Sequence, residues 1–75
     1  MSADERREAA VKTLVATSRS GGVAAASARL DALKTLQNIG HSQAEVRLAR
    51  ARALEGCSVE EIVEGLVESE RGVAA

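Results

Sequence analysis

The stretch Gly40-His41-Ser42-Gln43-Ala44-Glu45 reads as a helix stop followed at once by a helix start, and Gly56-Cys57-Ser58-Val59-Glu60-Glu61 repeats the pattern sixteen residues later. In each, the glycine sits past the last turn of one helix, where a left-handed backbone ends it. The serine hydroxyl then accepts from an orphaned backbone N–H, and the glutamate three residues on reaches back to the cap. Two such boundaries imply three consecutive helices joined by tight turns. Ser2 with Glu5 forms a similar box ahead of a first helix, and Ser18-Arg19-Ser20-Gly21-Gly22 is a loop that follows it. Four helices are expected, near residues 3–17, 23–39, 43–55 and 59–69, with 70–75 as a flexible tail. The fold class is therefore all-α, a small four-helix bundle in one domain spanning residues 1–75.

Helical phasing at 100° per residue assigns faces to these segments. In the second helix Val23, Leu30, Leu33, Leu36 and Ile39 fan over half the circumference, which makes it the expected centre of the core. In the last helix Val59, Ile62, Val63, Leu66 and Val67 follow the i, i+3, i+4, i+7, i+8 spacing, with Glu60, Glu61, Glu64 and Glu68 on the other side. The third helix has two apolar arcs, Ala44, Leu48, Ala51 and Leu54 on one side and Val46, Ala49 and Ala53 nearly opposite. Such a helix is either sandwiched inside the fold or turns its second face to another chain. The first helix carries Val11, Leu14 and Val15 but few other large apolar groups, and is expected to be the least firmly held.

Composition narrows the function classes. Of 75 residues, 34 are apolar, but 15 of these are alanine and none is aromatic, so 17 Val, Leu and Ile side chains must build the core. A chain this short buries little surface, and a deep-pocketed enzyme is not expected. The net charge of −1 carries no polybasic signature for nucleic acid or anionic membrane. It is unevenly spread: residues 1–57 hold nine basic and six acidic groups, whereas residues 58–75 hold one basic and five acidic. No stretch reaches the roughly 20 apolar residues of a membrane span, and the charged start, Asp4-Glu5-Arg6-Arg7-Glu8, is unlike a secretory signal. Cys57 stands alone, so no internal disulfide is possible and a reducing cytoplasm is the expected setting.

Few residues suggest site chemistry. Cys57 precedes a helix N-terminus, where the dipole favours thiolate, but a nucleophile also needs a base, and the only histidine, His41, lies on a different turn. Those two residues are also too few to hold zinc. Gly21-Gly22 before a helix lacks the lysine of a phosphate loop. No catalytic residue, metal, cofactor or small-molecule substrate is expected. Arg29, Arg47, Arg50 and Arg52, with Lys34, could contact a nucleic-acid backbone, although no aromatic side chain is available to stack on bases.

Two resemblances extend this reading. From Leu30 to Glu68 the chain resembles the C-terminal three-helix domain of the RuvA family of Holliday-junction branch-migration proteins, which has the ubiquitin-associated-like fold. The likeness rests on the leucine-bearing helix ending Leu36-Gln37-Asn38-Ile39-Gly40, the following Ser42-Gln43-Ala44-Glu45, and Ser58-Val59-Glu60-Glu61-Ile62-Val63. It implies a three-helix unit within the bundle that docks a partner protein. His41 stands where that family carries an aromatic residue. Separately, Ser58 to Val73 is similar to the helix-turn-helix pattern of bacterial DNA-binding regulators, with Ser69 where the recognition helix would begin.

The expectation from sequence is a non-catalytic protein–protein interaction module or small regulatory adaptor. It would contact a partner, or a second copy of itself as a homodimer, through Val46, Ala49 and Ala53 or through the surface of helix 3–17. A small DNA-binding regulator using Arg29, Arg47, Arg50 and Arg52 is the rival, and an inhibitor of a host protein a third reading.

Overall fold

In the computed structural model, which describes the backbone of residues 2–74 and the side chains of residues 2–70, every regular element is a helix. The four are α1 (Ala3–Thr17), α2 (Val23–Asn38), α3 (Gln43–Glu55) and α4 (Val59–Ala74). The boundaries follow from the caps. Ser2 and Ser42 each complete a reciprocal capping box with Glu5 and Glu45. Ser58 Oγ accepts from the Glu61 backbone N–H at 3.2 Å while the Glu61 carboxylate accepts from the Ser58 N–H at 3.3 Å.

The stops are equally explicit. Gly40 and Gly56 have φ values of 110° and 95°, in the region that costs a residue with a Cβ. Past them, the N–H groups of His41 and Cys57 donate to the carbonyls of Leu36 and Arg52, at 3.1 and 3.0 Å. This wider bond satisfies carbonyls that the helix leaves open. Because both turns are so short, α2, α3 and α4 must change direction sharply within three or four residues.

The centre of the core differs from the sequence expectation. α1 packs against each of the other three helices and most extensively against α2; α3 also meets all three, whereas α2 and α4 make no close backbone approach among the described residues. Arg7, Ala10, Val11 and Leu14 form the buried stripe of α1 at i, i+3, i+4, i+7. They meet Ala32 and Leu36 of α2, Val46, Ala49 and Ala53 of α3, and Ile62 and Leu66 of α4 in one cluster. In the first half of α2, Val23 and Leu30 are exposed. A helix with few large apolar groups can be central because alanines beside it let three neighbours approach closely, so each of its few side chains is shared.

α4 also departs from expectation. It continues to Ala74, so the residues expected to form a tail are helical through position 74, and Ala75 lies outside the described residues. Ser69, where the recognition helix of the helix-turn-helix reading would begin, lies inside this continuous helix. The Ser69 hydroxyl, instead of capping a new helix, donates to the Gly65 carbonyl one turn back at 3.0 Å. The uninterrupted apolar spacing of α4 gives the chain no reason to break there, and the helix-turn-helix reading fails on this geometry.

Candidate interaction surface

The core fixes which faces are free. Val46, Ala49 and Ala53, expected to meet a partner, are 4%, 2% and 4% exposed and lie in the core of this one chain. Of the two apolar arcs of α3, the one with Val46, Ala49 and Ala53 turns inward, and Leu48 and Leu54 are half-exposed on the outer side. The reason is spatial: α3 lies against α1, α2 and α4 at once, and small side chains suit the inner position among three helices. Ala49 and Ala53 are out of a partner's reach unless the bundle opens, and Val46 shows only a small edge on the α2 side.

The basic residues also separate. Arg29 is used internally: its Nη2 donates to the carbonyls of Thr17 and Ser20, at 2.6 and 2.9 Å, closing the end of α1 and the loop after it. Its Nε is buried without a hydrogen-bond partner among the described residues. The Arg52 guanidinium lies over Gly65 of α4, in space that any larger residue at 65 would fill. Arg47 and Arg50 remain exposed, and with Lys34 they make no ion pair or side-chain hydrogen bond among the described residues. The basic surface is therefore narrower than the sequence suggests.

Arg47, Arg50 and Lys34 share one feature, a groove of about 290 Å³ between α2 and α3. Leu30, Leu33 and Val46 line it with apolar surface, and Leu30 is 53% exposed. A second groove, of about 440 Å³, runs along α4 beside α1. Val59, Val63 and Val67 form its apolar strip, and Glu8, Glu60, Glu64 and Glu68 its margin. The two grooves have similar construction and opposite charge. The groove between α1 and α2, by contrast, offers only alanines and polar side chains.

One buried polar group of residues stands apart from these surfaces. Arg7, 4% exposed, donates from Nε to His41 Nε2 at 2.9 Å and from Nη1 to Asp4 Oδ1 at 2.7 Å, with Glu70 Oε1 3.5 Å from Nη2. His41 Nδ1 lies 2.9 Å from Glu45 Oε2. Because the guanidinium can only donate, Nε2 is the acceptor of that bond, which leaves Nδ1 to donate to Glu45. That hydrogen bond from His41, reinforced by those of Ser42 and opposed by partial burial, holds the Glu45 carboxyl below its ordinary pKa.

This relay joins α1, the α2–α3 turn, α3 and α4. The imidazole has no exposed surface and both its nitrogens are engaged, so it is not free to act on Cys57, which is half-buried against the core. Among the described residues no three His, Cys, Asp or Glu side chains gather to hold a metal ion, and no helix is long and apolar enough to cross a membrane.

Sequence reasoning missed the role of Arg7, because no local pattern links it to a histidine 34 positions away. No protein-family model matches the chain, and neither a curated protein nor a solved structure matches it.

Proposed function

We propose that this chain is a non-catalytic interaction module that docks an acidic, amphipathic helical segment of a protein in the groove between α2 and α3. The observation that carries the reading is the combination in that groove of half-exposed Leu30 with three cations, Lys34, Arg47 and Arg50, that have no ion-pair partner among the described residues. Exposed apolar surface rimmed by charge is the usual form of a helix-in-groove site. The apolar floor supplies affinity, and the rim sets orientation and partner choice. The resemblance of residues 30–68 to a partner-docking three-helix domain agrees with it.

The test is capture from cell extract with immobilised wild type and with the Leu30→Glu, Arg47→Glu, Arg50→Glu triple variant, each with and without nuclease. All three positions are exposed, so the variant keeps its helix content. A protein retained by wild type, resistant to nuclease and lost by the variant supports the reading. Capture that disappears with nuclease, together with duplex DNA binding that weakens steeply with salt, replaces it with nucleic-acid binding through the same cations.

A further inference from the structure

We infer that the segment fitting the basic groove is α4 of a second copy of this chain, so that the module associates with itself through two unlike surfaces. The inference rests on the docking role of the α2–α3 groove proposed above and names its occupant. The acidic strip of α4 has what that groove requires. Val59, Val63 and Val67 recur every fourth residue along one flank, half-buried and therefore still accessible, and the carboxylates of Glu60, Glu64 and Glu68 border them.

The dimensions agree. At 1.5 Å per residue the valine strip is about 12 Å long, and the α2 side of the groove, Leu30 to Gln37, is about 10 Å. Three cations face a margin of four carboxylates, and the grooves share no residue.

The pairing must be between molecules. Among the described residues α2 and α4 make no close backbone approach, so the acidic strip of one chain does not lie in its own groove. Two copies can each place α4 in the other's groove, which gives a closed two-fold dimer, or each can use one groove and leave the other open, which gives a head-to-tail chain. Both arrangements use the same contact. Strips of this length bury less surface than a permanent dimer, so the association is weak and depends on salt through the charged rims.

The experiment is sedimentation equilibrium of purified, nucleic-acid-free protein from micromolar to millimolar concentration, at low and high salt. Two charge-reversed variants are compared with wild type: Arg47→Glu with Arg50→Glu, and Glu64→Lys with Glu68→Lys, all exposed positions. Circular dichroism verifies that each is folded. The expected result is that wild type rises above the 7.8 kDa of one chain and that high salt weakens its association at least about tenfold. Each variant alone stays monomeric, because the attraction is lost: the first turns the groove net negative like the strip, and the second leaves the strip with as many cations as carboxylates. An equimolar mixture of the two associates again, because the basic groove of one meets the acidic strip of the other.

Monomeric wild type throughout, or association untouched by either variant, or a mixture that stays monomeric, overturns the inference. If self-association fails while the groove variant still loses a captured protein, only the occupant is wrong. If capture also proves independent of the groove, the docking role falls with it.

Discussion

Arg7 and His41 are the residues on which the polar architecture turns. A buried guanidinium cannot shed its charge, so its cost is offset only by the groups around it, here Asp4, His41 and the more distant Glu70. His41→Phe keeps a ring of similar size and removes both nitrogens; it is expected to lower stability by about 2–3 kcal/mol, since Arg7 and Glu45 each lose a partner. Urea unfolding measures this. Glu45 carries a pH signature. Its folded pKa is depressed, so its contribution is present above the ordinary carboxylate value of about 4.3 and is lost as pH falls through the folded value. The stability advantage of wild type over Glu45→Gln, followed by urea unfolding from pH 7 to pH 3, should therefore persist to about pH 4.5 and shrink below it; an advantage that grew with acid would contradict the geometry. Only half of this relay was legible beforehand. His41 is conspicuous as the lone histidine in a turn, but Arg7 sits in a run of charges that reads as a solvated face, and only the packing of α1 on the α2–α3 turn brings it to the imidazole.

Among the elements, the capping residues were readable and the faces less so. Ser-x-x-Glu following Gly is a local chemical statement, satisfied by groups three residues apart, and the starts of α3 and α4 fall where it places them. Ser58→Ala is expected to cost about 1 kcal/mol, and Gly56→Ala about as much, through its left-handed φ; thermal melts of both variants test this. Which arc of α3 turns inward depended on what lies opposite it, because Val46, Ala49 and Ala53 sit where three other helices approach. The same consideration moved α1 from the margin to the centre. Leu14→Ala is expected to destabilise by about 3 kcal/mol, whereas Leu48→Ala, on the outer arc, should change stability by less than about 1 kcal/mol. Equal costs in urea unfolding would show that α1 is not the hub.

For the whole molecule, the Cα radius of gyration of 11.6 Å is close to the roughly 11 Å of a compact domain of this length, so the aromatic-free core closes without a partner. Val46→Glu separates this from a core completed by dimerisation: with Val46 buried within one chain, the charge should abolish the cooperative melt rather than yield a folded monomer, as circular dichroism and sedimentation of the variant would report. The number of helices, the positions of their caps and the acidic character of the last helix follow from residues close together in the chain, because hydrogen-bonded caps and helical periodicity are local. The central place of α1, the inward face of α3, the internal use of Arg29, the Arg7–His41–Glu45 relay and the two oppositely charged grooves depend on which helices meet. That is set by close packing among residues distant in the chain, and a pattern within one helix does not carry it.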